Sequence, residues 1–183
     1  FEGERRAQTD FATLPPSDHR LGADPYAIRI AAPDRFVGLL RGADAVVLLD
    51  KELRETARAG TSGSPVGLTV RDGLAYVVAE HRSEIAVYRM HEGELFRAVP
   101  IPLPDAHALR DVAVAEDGTL YAVEMDRGRL FTLVPDAASR GVHALAATTQ
   151  ACAGAFRVAR TKSAVLVDCL FDHTIVVTRV DAQ

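Results

Sequence analysis

The chain has no tryptophan and no asparagine, and only two cysteines and two methionines among its 183 residues. Without asparagine there is no N-glycosylation sequon. Two cysteines outside any C-x-x-C spacing exclude a zinc ribbon and a dithiol redox motif. Lysine is scarce too, since arginine supplies 19 of the 21 basic residues, a habit of genome composition rather than a basic patch. The net charge of −4 is spread along the chain, and no basic block could neutralise a run of phosphates, so nucleic-acid binding is not expected. No apolar run approaches the roughly 18 residues a membrane helix needs, and no membrane insertion is expected. Phe1 follows no basic, apolar, small-residue leader and reads equally as a natural or a processed start. A G-x-S-x-G elbow is missing, and Ser62, Ser64 and Ser163 have no base beside them. The stretch "GTSGSPVG" lacks the lysine and the helix of a phosphate cradle and precedes a strand, so it is expected to be an inter-blade loop.

What the chain does have is alternation and repetition. At 48% hydrophobic, a chain of this length buries roughly 70% of its unfolded surface, enough for one domain. "LTVRDGLAYVVAEHRSEIAVYRM" aligns with "VAVAEDGTLYAVEMDRGRLFTLV" so that Asp72-Gly73 meets Asp117-Gly118, Tyr76 meets Tyr121 and Arg82 meets Arg127. The pattern continues forward into "FRVARTKSAVLVDCLFDHTIVVTRV" and backward into "YAIRIAAPDRFVGLLRGADAVVLLD". Four copies at a spacing of about 39 to 46 residues match the period of propeller blades.

The expected architecture is therefore a single all-β domain over residues 1–183, a β-propeller of about four four-stranded blades. The blades fall near 22–60, 61–104, 105–149 and 150–183, the last completed by a strand at 4–15. The first three fourth strands are expected near 54–59, 95–101 and 142–147, although "DKELRETARAG" reads as well as a short helix. Joining the two chain ends would close a ring and hide its sheet edges. The alternative is part of a larger ring, finished by a second copy, a partner chain or a missing segment.

The stretches "DGLAYVVAEHRSEIAVYRM" and "DGTLYAVEMDRGRLFTLV" resemble the YVTN and NHL class of propeller repeats over about Pro25 to Val180. His81, Asp126 and Asp172 stand where that class usually carries asparagine. The resemblance implies a fold whose functions range from protein binding to lactone hydrolysis, and no particular activity.

Topology sorts the loops. Turns between second and third strands share one face with the inter-blade connections, and this face gathers His19, His81, Asp105, His107, Arg110, Asp111, Asp126, Arg127, Asp172 and His173. These residues form the expected ligand or interaction face, at the mouth of the central channel. His81, His107, Asp126 and His173 are a candidate set for a divalent metal, the only cofactor considered, although no pair has the spacing of H-x-x-x-H. Polar turn residues also serve the backbone and face water without any site. Arg110 and Asp111 either orient a carboxylate ligand or pair within the chain. His91 and His143 fall elsewhere.

Cys152 precedes the last copy's first strand and Cys169 ends its second, so both come to the same end of a hairpin. A disulfide forms if the loop from Ala151 to Gly154 folds back to bring the two Cα atoms within about 4.4 to 6.8 Å. Such a bond argues for a periplasmic or secreted location. Two functions stay open. The favoured one is a non-catalytic binding or assembly propeller presenting its polar face to a protein or small ligand, because the strand pattern is well formed and no catalytic constellation is evident. The alternative is a metal-dependent hydrolase of the lactonase or gluconolactonase type.

Overall fold

The computed structural model describes residues 23–139 and 141–180. Among these there is no helix, and the strands form four antiparallel meanders arranged as a four-blade β-propeller. Blade 1 comprises β1 (Pro25–Ala32), β2 (Arg35–Leu40), β3 (Ala45–Leu49) and β4 (Glu55–Gly60). Blade 2 comprises β5 (Pro65–Arg71), β6 (Leu74–Ala79), β7 (Glu84–His91) and β8 (Glu94–Arg97), with β9 (Ile101–Pro102) also paired to β7. Blade 3 comprises β10 (Leu109–Val114), β11 (Leu120–Glu124), β12 (Arg129–Pro135) and β13 (His143–Gln150). Blade 4 has β14 (Ala155–Arg160), β15 (Ala164–Cys169) and β16 (Thr174–Arg179). The strand expected at 4–15 to complete blade 4 lies outside the described residues, as does His19.

The turns form as the residues dictate. Asp72 and Gly73 both take positive φ, 48° and 73°, the two-residue hairpin turn whose twist matches that of the flanking strands. At Asp117-Gly118 the loop is one residue longer: Ala115 N–H donates to Thr119 O, and only Gly118 turns left-handed. The helix considered for "DKELRETARAG" does not form. Asp50 Oδ1 accepts from the backbone N–H groups of Glu52 and Arg54 at 3.0 and 2.8 Å, which closes a tight turn and delivers β4 back onto β3. The fourth strand of blade 2 is broken because Pro100 and Pro102 lack an N–H to give to the ladder. Only Ile101 and Pro102 return to β7 as β9.

Blades are joined sideways by apolar side chains. Val37, Leu39, Val46 and Leu48 of blade 1 meet Leu68, Val77 and Tyr88 of blade 2. Tyr76, Val78, Ile85 and Val87 meet Leu109, Val112, Leu120 and Phe131 of blade 3, and Val123 and Leu130 meet Val158, Val165 and Val167 of blade 4. Each such side chain removed from water contributes roughly 1.5–3 kcal/mol. Tyr88 is fully buried and spends its hydroxyl on Gly60 O at 2.9 Å. The inner strands β1, β5, β10 and β14 follow one another in contact. Between β5 and β10 the approach is close enough to require glycine, since a Cβ on Gly67 would stand 2.7 Å from Asp111 Cα and 2.5 Å from Val78 Cγ2.

Cys152 and Cys169 form a disulfide with a Cα separation of 5.8 Å. Strict register pairs Cys169 with Ala155, three residues past Cys152. The missing distance is recovered by the loop, where Gly154 takes φ 69° and Phe171 N–H and Leu170 N–H reach back to Ala153 O and Gly154 O.

Two stability measurements follow from this packing. Gly67→Ala is expected to lose about 1–3 kcal/mol in urea unfolding, because the obstructing atoms include backbone that cannot move aside. Replacing Cys152 and Cys169 together by alanine is expected to cost about 3 kcal/mol, the value for a closed loop of this size; an unchanged midpoint would show that the clip constrains nothing.

Candidate functional site at the loop face

The loops between second and third strands and the inter-blade linkers are sewn together. Asp44 accepts from Thr61 N–H through its carbonyl at 2.7 Å and from Ser64 N–H through Oδ1 at 3.1 Å. The next loop returns to the same linker: His81 N–H donates to Gly63 O, and Arg82 donates from Nε and Nη2 to Ser62 Oγ at 2.8 and 2.6 Å. Ser83 Oγ–H donates to Ala106 O at 2.7 Å, and Met125 N–H donates to Ala108 O. In blade 4, Asp172 Oδ2 accepts from Ala153 N–H at 2.8 Å. These loops are fixed by hydrogen bonds on both sides, which holds their side chains in place as a binding surface requires.

Between the loops of blades 2 and 3 lies a cavity of about 370 Å³ lined by Glu80, His81, Arg82, Ser83, His107, Arg110 and Asp126, among others. Four of the residues singled out from the sequence, His81, His107, Arg110 and Asp126, therefore share one cavity wall. Arg110 donates from Nη2 to Glu80 Oε1 at 2.6 Å, so its guanidinium is paired within the chain across the blade boundary. The linker that carries His107 is pinned from below. Glu124 is fully buried and takes Arg129 Nε at 2.6 Å on Oε2, and Arg129 Nη2 donates onward to Asp105 O at 2.6 Å.

The remaining expected residues are placed elsewhere. Asp105 turns the linker at φ 68° and offers its carbonyl to Arg127 and Arg129. Asp172 is a backbone clamp, and His173 sits at φ 52° in the turn between β15 and β16. The metal set His81, His107, Asp126 and His173 is consequently not assembled: His173 belongs to blade 4 and does not line the cavity that holds the other three. Among the described residues no group of three or more His, Cys, Asp or Glu side chains is placed to hold an ion. His143 lies at the opposite face, with Nε2 3.0 Å from Gly118 O and its ring edge-on to Tyr76.

Sequence reasoning missed a second feature at the mouth. Each inner strand carries a β-bulge at the same place, which centres on Tyr26, Val66, Arg110 and Phe156. A bulge re-aims the side chain it carries. Three of these four join a ladder of rings and guanidinium groups: Arg110 lies 5.8 Å from the Phe156 ring, and Arg157 lies 5.2 Å from Phe156 and 5.5 Å from Tyr26. Arg41 also lies over the Tyr26 ring, at 4.6 Å, and is itself held by Asp24 at 2.7 Å. Arg157 Nη2 also donates to Tyr26 Oη at 3.3 Å. The available signal was the alignment of "PYA", "PVG", "LRD" and "AFR" at the start of each inner strand.

Immediately after its bulge, β10 buries Asp111, which is only 6% exposed. Its Oδ2 accepts from Val158 N–H of β14 at 3.1 Å, while Oδ1 has no partner among the described residues. Burial raises its pKa above the ordinary carboxylate range, against the pull of the Val158 and Val112 N–H groups and the positive charges of Arg157 and Arg29.

No protein-family model and no curated protein sequence matches the chain. Solved structures do match its fold. A proposed 6-phosphogluconolactonase from Bacteroides uniformis superposes with a TM-score of 0.78 at 15% identity over 93% of this chain and 55% of that one. A second, from Bacteroides fragilis, gives 0.74 at 16% identity over 86% and 51%. The periplasmic gluconolactonase of Pseudomonas aeruginosa gives 0.73 at 18% identity over 87% and 50%. The chain thus spans about half the length of these propellers. Their names correct the expectation of a non-catalytic binding module in favour of the lactonase alternative.

Asp111 yields a pH test. A carboxyl whose folded pKa is raised contributes its stability in full below its unfolded pKa of about 4 and loses it as pH rises through the folded value. Asp111→Asn, which keeps an acceptor for Val158 N–H, is therefore expected to be more stable than the parent at pH 7, with the gap narrowing as pH falls towards 4. Thermal melts over that range decide it, and a gap that widens on acidification contradicts the assignment.

Proposed function

We propose that this chain takes part in the hydrolysis of sugar lactones of the gluconolactone class. The single observation that carries this is the loop-face cavity, where two imidazoles, two carboxylates and two guanidinium groups line one space of a size suited to a sugar ring. The fold shared with proteins named for lactone hydrolysis supports it.

The chemistry needs a base, a positive charge and an oriented carbonyl. An imidazole of His81 or His107 takes a proton from water, whose oxygen attacks the lactone carbonyl carbon. The carbonyl oxygen becomes an oxyanion, and Arg110, already oriented by Glu80, supplies positive charge beside it. Collapse of the tetrahedral intermediate breaks the bond to the ring oxygen, which leaves with the proton returned by the imidazole and gives the open hydroxy acid. Asp126, on the same wall, is suited to hydrogen-bond the substrate's hydroxyl groups. Among the described residues these imidazoles and carboxylates are not placed together to hold a divalent ion, and no step is routed through one. The disulfide, together with the periplasmic name of one structural neighbour, supports a periplasmic or secreted location.

Opening of glucono-δ-lactone, followed by acid release at constant pH, tests the proposal. The parent chain is expected to exceed the buffer rate, and the double substitution of His81→Ala with His107→Ala to lower kcat by at least about 10²-fold with an unchanged melting temperature. A parent chain no faster than buffer would overturn it.

A further inference from the structure

We infer that the groove between the hairpin-turn ends of blades 3 and 4 binds an acidic oligosaccharide, a short chain of sugar units that carry carboxylates. The groove encloses about 900 Å³ and is lined from blade 3 by Tyr121 and Thr132, from blade 4 by Arg160 and Lys162, and from blade 2 by Arg71, among others. It lies at the opposite end of the strands from His81 and His107, so the inference stands independently of the lactone chemistry. The corresponding opening between blades 2 and 3 is only about 210 Å³. There the His143 ring stands edge-on to Tyr76, and Arg71 is held by Asp72 at 3.2 Å and by Glu116 O. Tyr121 occupies the same place in its repeat as Tyr76, but among the described residues no aromatic ring packs on it.

Several groups on this wall have no use within the fold. Tyr121 is only 7% exposed, yet its hydroxyl has no hydrogen-bond partner among the described residues and is not sealed from solvent, which leaves it open to the groove. Thr132 stands opposite Tyr121 in the strand ladder, so the two hydroxyls share the face that looks towards blade 4, and the Thr132 hydroxyl is likewise without a partner among the described residues. Arg160 gives Nη1 to Ala164 O at 3.2 Å but keeps a buried Nε that is bonded to nothing described. Four cations, Arg71, Arg160, Lys162 and Arg179, line the groove with two carboxylates, Glu116 and Asp117, and Asp117 spends both its oxygens on Thr119. Unspent guanidinium and ammonium groups require carboxylates. Neighbouring neutral hydroxyls require partners that both give and accept hydrogen bonds, as sugar hydroxyls do. An acidic peptide meets only the first demand, because Tyr121 and Thr132 stand on strands paired on both sides, which offer no open N–H to an added strand. The cavity is near the upper end of the roughly 300–1,000 Å³ of ligand clefts, which leaves room for more than one sugar ring.

Isothermal titration of the 183-residue chain with the trimer of galacturonic acid tests this. Saturable binding is expected, weakened about tenfold by Tyr121→Phe, which keeps the buried ring and removes only the hydroxyl. Lys162→Glu, at an exposed turn, is expected to weaken it at least as much, and both variants to keep the parent's melting temperature. A neutral galactose trimer and a triglutamate peptide are each expected to bind at least about tenfold more weakly than the acid trimer. The double substitution of His81→Ala with His107→Ala is expected to leave the affinity unchanged. Absence of saturable binding overturns the inference, and so does an affinity that survives both groove substitutions. A neutral trimer that binds equally well would remove the part given to the cations, and triglutamate that binds equally well would make the groove a site for acidic peptides; either result overturns it. Loss of trimer binding in the double histidine variant would move the ligand to the loop-face cavity and also overturns it. Loss of lactone hydrolysis with trimer binding intact would count against the catalytic proposal alone.

Discussion

Sideways packing of one sheet on the next is the interaction on which everything else in this protein depends. Strand ladders alone would leave four separate meanders, each with two wet apolar faces. The clusters built on Leu39 and Tyr88, on Val87 and Phe131, and on Val123 and Val165 turn these meanders into neighbours around an axis. Only then do loops far apart in sequence come together, as Glu80 and Arg110 do across thirty residues of chain. The loop-face cavity results from that packing rather than from any local motif.

The hydrogen bonds of the linkers complete what packing begins. Several polar side chains of the loop face hold the linkers: Asp44 and Asp172 accept from backbone N–H groups, Arg82 grips the Ser62 hydroxyl, and Glu124 with Arg129 braces the linker below His107. A loop face of this kind is held because its loops are anchored on both sides.

The fold was legible because its information is periodic. Asp72-Gly73 and Asp117-Gly118 mark hairpins, and the alternation around Tyr76 and Tyr121 marks their strands. Each of these signals acts within a few residues, so sequence alone carries it. The segment after Asp50 was ambiguous because its helix-favouring residues are overruled by one carboxylate bridging the backbone N–H groups of Glu52 and Arg54. Of the candidate site, loop topology placed His81, His107, Arg110 and Asp126 on one face, and these four line one cavity. It could not show that His173 stays on its own blade or that Asp111 turns into the interior, because both depend on the angle between blades. The ladder of Tyr26, Phe156 and Arg157 was missed since its members become partners only through bulges, which alternation cannot reveal.

Those bulges give the molecule an unusual freedom to vary. Because the register of each inner strand shifts at the corresponding place, one residue per blade is released from the pleat while pairing continues on either side. Tyrosine, valine, arginine and phenylalanine occupy these four stations, which shows that the scaffold accepts aromatic, aliphatic and charged groups there without change of register. The residue at each of these stations can therefore differ from blade to blade while the strands on either side keep their pairing.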